Sequence, residues 1–442
     1  MNAEQRIRTK ALAIFLLLLP AVASAQAPGA RIDRIVQSYA DAQQFMGAVL
    51  VARDGNVLLS KGYGSANLEW NTPNSPSTKF VLASITKQFT ATSILLLEER
   101  GKLKTTDSVR KYLPDAPATW DDITIYNLLT HTSGIPDRLG DSAQHTPEQL
   151  FAEIRERPLK FRPGEQWDYS NSAYEVLGYM LEKITGESYK DFIQENIFTP
   201  LHMKDSGYDS NVDIIPRRAS GYWPGIRGIE NARTVDPSWV YSAGAIYSTT
   251  EDLLRWEESL FGGKVLKPES LEKLTTPFKN DYACGLIVHQ INGQRVIEHG
   301  GNVWGFNAEM LFYPESKLNV IVLGNLNGRV PQMAMALGAA MHGETVPLAK
   351  VHKQIHLSKE VLQRYAGTYE LSASWYLTVT AEDGYLLVQA PNQDKFAAFP
   401  ESETSFFYKA FDAQFEFSKN DHEEYVYLTA HQEGKDTKMT KK

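Results

Sequence analysis

The chain predicts an α/β body, an antiparallel sheet covered by helices with an all-helical insertion, followed by a small C-terminal antiparallel β-barrel. Three observations predict it. Strand-like runs stand near both ends of the first 345 residues, and a helical middle separates them; this order of elements suits a sheet layered against helices. Asp54-Gly55-Asn56 between two apolar runs is a strong hairpin signal. After residue 345 short strand-like runs recur at close spacing, separated by turn residues, as in a small barrel or sandwich.

The elements follow in order. Arg6, Arg8 and Lys10 make a basic start, Ala11 to Leu19 is apolar, and Ala23-Ser24-Ala25 is a small-residue cleavage site. Residues 1–25 therefore read as a secretory signal peptide cut near Ala25. The apolar run is shorter than the roughly 20 residues of a membrane span, so membrane contact is expected only through this leader, and the mature protein is expected to be periplasmic or secreted. The body is read over residues 32–345. It opens with a helix near Arg31 to Phe45 and two strands, Gly47 to Arg53 and Val57 to Tyr63. Helices dominate from Ala83 to about Pro200. Strands return as a hairpin, Ala283 to His289 and Gln294 to Ile297, turning at Ile291-Asn292-Gly293, and continue with Asn307 to Tyr313 and Leu318 to Gly324. Val346-Pro347 opens a linker, 346–356. The β-domain, 357–442, carries runs at Trp375 to Thr380, Tyr385 to Gln389, Phe406 to Lys409, Gln414 to Phe417 and Tyr425 to Thr429; the lysines from Lys435 to Lys442 read as a frayed, solvated end.

Composition excludes several functions. The net charge is −8, whereas nucleic-acid binding needs a basic face. A single cysteine allows no intrachain disulfide. Cys284, among Tyr282, Ala283, Leu286 and Ile287, reads as a small apolar residue of a buried strand. The ten histidines are scattered, with no H-E-x-x-H and no Cys pairs, and there is no phosphate loop or dinucleotide fingerprint. No metal and no cofactor is expected; the expected partner is a small-molecule or peptide substrate.

Ser84-Ile-Thr-Lys87 opens an apolar helix flanked by Phe80, Val81, Leu82, Ile85 and Phe89. Residues three apart share a helix face. A serine hydroxyl needs a base within reach to become a nucleophile, and a lysine serves once burial lowers its pKa. Trp167-Asp-Tyr169-Ser-Asn171 follows the Pro163-Gly164 turn and enters the helix Tyr174 to Ile184. A phenol there can shuttle protons if a neighbouring ammonium lowers its pKa; an asparagine can hold the lysine through its oxygen and a substrate carbonyl through its nitrogen. His299-Gly300-Gly301-Asn302 ends a strand, and its glycines let that edge lie close to a ligand. The edge can offer a backbone N–H to an oxyanion, and His299 a hydrogen bond to a substrate carboxylate or carbonyl. His131 reads as a structural histidine among Leu128, Leu129 and Ile135. Trp223, Tyr241, Trp304 and Phe306 are candidates to line a groove or to pack in the core.

Taken in order, S-x-x-K, Y-x-N and H-x-G resemble the penicillin-recognising serine hydrolases: class C β-lactamases, D,D-peptidases, D-aminopeptidases and esterases of β-lactamase fold. Gly62-Tyr-Gly-Ser-Ala-Asn-Leu-Glu69, Leu128-Leu-Thr-His-Thr-Ser-Gly134, Arg162-Pro-Gly-Glu165 and Ser242-Ala-Gly-Ala-Ile-Tyr-Ser-Thr249 extend the likeness. The resemblance implies a β-lactamase/transpeptidase-like fold and an acyl-enzyme on Ser84. Lys87 is then its base, Tyr169 the proton relay, Asn171 the holder of lysine and substrate amide, His299 and Gly301 the strand-edge motif, and the N–H groups of Ser84 and Asn302 the oxyanion hole. Tyr365-Ala-Gly-Thr-Tyr369 resembles the opening of the lipocalin-like domains that follow such hydrolases. Histidine where many relatives carry lysine points toward D-aminopeptidase or esterase branches, with peptides containing D-amino acids as the leading substrates. A β-lactamase or a carboxylesterase is the rival enzyme, and a sensor that acylates without turnover the rival of another class.

Overall fold

The computed structural model describes residues 28–138, 143–225, 228–393, 395–409, 413–432 and 435–442; the leader read at 1–25 lies outside them. Alternation builds the body. Along the strand Gly47–Arg53, Val49 and Val51 face one way and Ala48, Leu50 and Ala52 the other, as a period of two requires. Both faces are buried. Ile32, Ile35 and Val36 of the helix Pro28–Asp41 and Val330, Met333 and Leu337 of the helix Val330–Met341 cover the valine face. The other face joins the helical middle, where Phe89 stacks on Trp256 at 4.3 Å. The sheet has six antiparallel strands in the order Ile287–Ile291, Gln294–Val303, Phe306–Tyr313, Leu318–Gly324, Gly47–Arg53, Asn56–Tyr63. Its register pairs Val49 with Val322 and Gly300 with Glu309. The N-terminal hairpin thus closes against the strand Leu318–Gly324, far later in the chain, as the sequence order predicts.

One hairpin differs from expectation. Ala283 to Leu286 is not strand: Asn280, Asp281 and Gly285 have φ of 50°, 57° and 72°, which no extended run can hold. A Cβ on Gly285 would lie 2.7 Å from the Lys87 carbonyl, so this loop packs on the helix Thr86–Glu99. Cys284 is buried there, in a loop rather than a strand. The partner strand runs on to Val303, beyond Ile297.

Residues 344–358 form neither helix nor strand. They are tied to the body by Ala349 N–H to Ser38 Oγ and to the barrel by Ile355 N–H to the Pro400 carbonyl. The C-terminal strands make a closed eight-stranded barrel in which each pairs with the next. The Lys435–Lys441 segment is a correction: it pairs with Tyr425–Gln432 and, through Lys441 opposite Tyr369, shuts the barrel. Its backbone is satisfied by the ladder and only Met439 turns inward, so the sequence shows charge where the structure has a strand. The strands Gly367–Ser372 and Lys395–Pro400 were likewise not evident from the sequence.

Candidate functional site

Ser84 lies in a single 3₁₀ turn, Ala83–Ile85, that runs directly into the helix Thr86–Glu99. Ala83 holds φ at 49°, a left-handed conformation that costs a non-glycine residue of order 1–2 kcal/mol. The bend presents the half-buried Ser84 hydroxyl at the start of the helix. First-turn N–H groups have no acceptor within a helix, and the dipole there favours negative charge.

Lys87 is fully buried. Its Nζ lies 3.1 Å from Ser84 Oγ, 2.8 Å from Asn171 Oδ1 and 3.0 Å from the Ala243 carbonyl. Three acceptors match the three donors of an ammonium. Burial nevertheless lowers its pKa to about 7, with the negative charges of Asp137 and Glu175 opposing. On losing a proton the amine has a lone pair to turn toward the serine hydroxyl.

Asn171 is the first residue of the helix Asn171–Thr185, capped by Ser170, whose Oγ accepts the Ala173 N–H at 3.1 Å. Asp137 fixes it: the carboxylate accepts the N–H groups of Asn171 and Ser172 at 2.6 and 3.2 Å and faces Asn171 Nδ2 at 3.4 Å. That contact orients the amide so that its oxygen meets Lys87. Behind it the buried Glu175 pairs with Arg138 at 3.0 Å. Burial pushes the Glu175 carboxyl up to about 7, and Arg138 opposes that rise.

Tyr169 packs its ring 4.8 Å from Lys87 Nζ. Burial raises its pKa, and interaction with the Ser84 hydroxyl only partly offsets this. This corrects the expectation of a phenol lowered by a neighbouring ammonium: burial dominates, the charge of Asp137 adds to it, and the group stays protonated, able to give a proton rather than act as phenolate. His131 supports it from below at 4.3 Å and accepts the Ser170 N–H through Nδ1, which is a structural role.

His299 is buried, and both ring nitrogens are engaged. Nδ1 sits 2.6 Å from the Gly300 carbonyl, which can only accept, so Nδ1 carries the proton. Nε2 then accepts from Tyr282 Oη at 3.2 Å. Burial, with Lys87 adding to it, lowers the His299 pKa to about 4. The expected donation from His299 to a substrate carboxylate is therefore not available in this arrangement. A Cβ on Gly301 would fall 2.1 Å from the Leu82 carbonyl and 3.1 Å from the Ser84 N, so only glycine lets this strand lie on the serine turn. Asn302 is exposed, next to Gly301, and its side chain bonds Asn327 at 3.1 Å.

Ser84, Lys87, Tyr169 and Asn171 thus meet directly, and Gly301 brings the strand edge to them. Asp137, Glu175, Tyr282 and the Ala243 carbonyl were missed from the sequence. The sequence marks Ser242-Ala-Gly only as part of a stretch of family likeness, and Asp137 carries no local signal. Of the aromatic candidates, Trp304 and Phe306 line a cavity beside the site, and Trp223 borders another. Tyr241 is buried, donating to Glu182 at 2.6 Å.

Residues 32–342 match the family described as Beta-lactamase. The chain belongs to the Beta-lactamase family. It is a serine hydrolase of β-lactamase fold. Residues 352–441 match a domain of unknown function, DUF3471. A penicillin-binding protein of Bacillus subtilis is 30% identical over 424 residues, covering 88% of this chain and 93% of that protein. In fold, this Beta-lactamase-family chain is similar to an octameric penicillin-binding protein homologue from Pyrococcus abyssi, with a TM-score of 0.65, 24% identity, and 93% and 98% of the two chains covered. It is also similar to a D-amino acid amidase from Ochrobactrum anthropi SV3, with a TM-score of 0.63, 22% identity, and 71% and 99% covered.

Proposed function

We propose that the chain hydrolyses small amides or esters through an acyl-enzyme on Ser84, with peptides containing D-amino acids as the preferred substrates. The observation that carries this is the buried Lys87, hydrogen-bonded at once to the hydroxyl, to Asn171 and to Ala243. A lysine desolvated to a pKa near neutrality is a base. Ser84 Oγ attacks the substrate carbonyl and its proton passes to Lys87 Nζ. The N–H groups of Ser84 and Asn302 hold the oxyanion, and one such donor contributes about 3 kcal/mol. Tyr169 protonates the leaving nitrogen or oxygen as the bond to the carbonyl breaks, and Lys87 returns a proton to the phenol. Water then repeats the sequence on the acyl-enzyme. Asn171 holds Lys87, while His299 and Gly301 shape the strand edge.

Two further points support the substrate class. A neutral His299 brings no cation to the strand edge, which disfavours efficient penicillin hydrolysis. The amidase of similar fold acts on D-amino acid amides by its name. Export follows from the leader at residues 1–25, so the working compartment is the periplasm or the exterior. The test is a panel on the purified mature protein: a D-alanyl peptide, a cephalosporin and a short-chain nitrophenyl ester. Intact-mass spectra are followed over time. A transient adduct on Ser84 and turnover of the peptide are expected, and Ser84→Ala abolishes both. A penicillin adduct that never decays would replace the enzyme with a sensor.

A further inference from the structure

The loop between the helix Pro268–Thr275 and the strand Ile287–Ile291 touches all three parts of the site. Lys279 Nζ donates to the carbonyls of Gly164 and Glu165 at 2.7 Å each, in the turn that leads to Tyr169. Gly285 lies against the Lys87 carbonyl of the nucleophile helix. Between them the buried ring of Tyr282 stands 4.5 Å from His131 and 6.2 Å from Tyr169, and its hydroxyl reaches His299 Nε2 at 3.2 Å. The loop closes on itself through the Phe278 N–H to the Tyr282 carbonyl and the Val288 N–H to the Asp281 carbonyl, at 2.9 and 2.8 Å. Asn280 and Asp281, directly before Tyr282, are both left-handed. Residues other than glycine enter that region at a cost, and such cost collects where a side chain has to be aimed.

Tyr282 is aimed at a strand edge with little rigidity of its own. Gly300-Gly301 has no Cβ to restrict its backbone, yet in the acyl-enzyme reading the next residue, Asn302, presents its N–H to the oxyanion. His299 supplies the restraint. Its Nδ1–H donates to the Gly300 carbonyl at 2.6 Å, which holds the peptide unit just before that of Asn302. An imidazole that donates through one nitrogen can only accept through the other, and the Tyr282 hydroxyl fills that acceptor. With both nitrogens bonded, the ring cannot flip without breaking two hydrogen bonds. Tyr282 itself is 1% exposed and so meets no substrate.

We propose that Tyr282 is a positioning residue of the oxyanion hole, acting through His299 as a neutral bridge from its own hydroxyl to the Gly300 carbonyl. This rests on the acyl-enzyme reading above and goes beyond it. It gives the histidine of the third motif a task inside the protein: the ring orients the strand that meets the reacting carbonyl and leaves the substrate to others. A lysine in its place would offer three donors and no acceptor, so it could not accept the Tyr282 hydroxyl.

The test uses the full-length protein. Tyr282→Phe keeps the ring and removes the hydroxyl. An oxyanion donor acts in the transition state, so kcat for a short-chain nitrophenyl ester should fall by roughly 5- to 50-fold, part of the roughly 10²- to 10³-fold that a deleted donor costs, with KM within about two-fold. Affinity for phenylboronic acid, whose adduct with Ser84 is tetrahedral, should fall by the same factor. In a His299→Ala background, Tyr282→Phe should change kcat by less than about two-fold, because the bridge is already gone. In the unsubstituted protein, NMR of isotope-labelled histidine nitrogens should show His299 protonated on Nδ1 and bare on Nε2, a measurement that needs no variant to fold. A proton on Nε2 would overturn the role. So would an unchanged kcat in a folded Tyr282→Phe protein, a loss that appears in KM instead, or the same loss with and without His299. Failure of the acyl-enzyme reading shows separately, as undiminished ester turnover by Ser84→Ala.

Discussion

The body and the barrel bury different things. Among the described residues, the buried polar and charged side chains all fall between Gln44 and Asn325, and they include Lys87, His131, Glu175 and His299. The barrel core is apolar and aromatic: Leu377, Val379, Leu386, Phe406, Phe415, Phe417 and Met439, with Tyr365 and Tyr369. Its tyrosine hydroxyls are satisfied by carbonyls, Tyr365 on Glu403 and Tyr369 on Tyr365. Burying a polar group is costly unless it is paired, and burying an ionisable one moves its pKa. The body bears part of that cost around one serine and part elsewhere, as at Glu257, whose carboxyl burial raises to about 8 beside Asn319. The barrel has no such cluster and gains from burial in the ordinary way. Chemistry belongs to the first region and cohesion to the second.

The largest expected effect tests the first half of that contrast. Tyr169→Phe removes the proton donor and keeps the ring that packs on His131. Turnover of a nitrophenyl ester should fall by about 10²- to 10⁴-fold, with circular dichroism unchanged. A fall within about two-fold would make the phenol packing, and the body's buried polar cluster structural like the barrel's aromatic one.

The second half is tested by Phe417→Ala. Phe417 is 1% exposed and touches the rings of Tyr365, Tyr369 and Phe406 at 4.6, 5.5 and 5.4 Å. Its loss should destabilise the barrel by about 3–5 kcal/mol in denaturant titration. Rates of Ser84 labelling, measured where the variant is folded, should stay within about two-fold. Labelling that falls with stability would mean that the barrel helps hold the site.

How legible each region was in the sequence follows from the same physics. The Ser84–Lys87 spacing, the capped entry at Ser170-Asn171 and the Asp54-Gly55 hairpin are local, so short windows reveal them. Strands with alternating apolar residues, such as Gly47–Arg53, were read at their observed bounds. What was lost is non-local. Asp137 reaches Asn171 across 34 residues, and the Ala243 carbonyl reaches Lys87 across 156. The direction of the Tyr169 shift depended on burial, which a loop sequence does not display. Lys435–Lys441 looked like a free tail because a closing strand with one inward side chain has almost no apolar pattern. Ala283 to Leu286 looks like a strand because its composition is apolar, while Gly285 turns left-handed where the loop packs on the helix Thr86–Glu99.

The smallest effect separates the two buried bases within the body. Lys87 titrates at about 7 and His299 at about 4, both lowered by burial. Only the neutral amine can take the serine proton. The rate constant kcat/KM should therefore be full above neutrality and fall as pH drops through about 7, by about tenfold per unit below it. His299 is neutral throughout the range from 5 to 8 and adds no limb there. Glu175, when ionised, raises the Lys87 pKa. Glu175→Gln removes that charge and should move the acid limb to lower pH, the opposite of what loss of a positive neighbour would do. Arg138 also loses its partner in this variant, so the position of the limb, rather than the absolute rate, is the measurement that counts. A limb that stays at neutrality after Glu175→Gln would show that Lys87 does not feel this carboxylate. A wild-type limb near 4 would move the controlling proton to His299 and leave Lys87 as a structural amine.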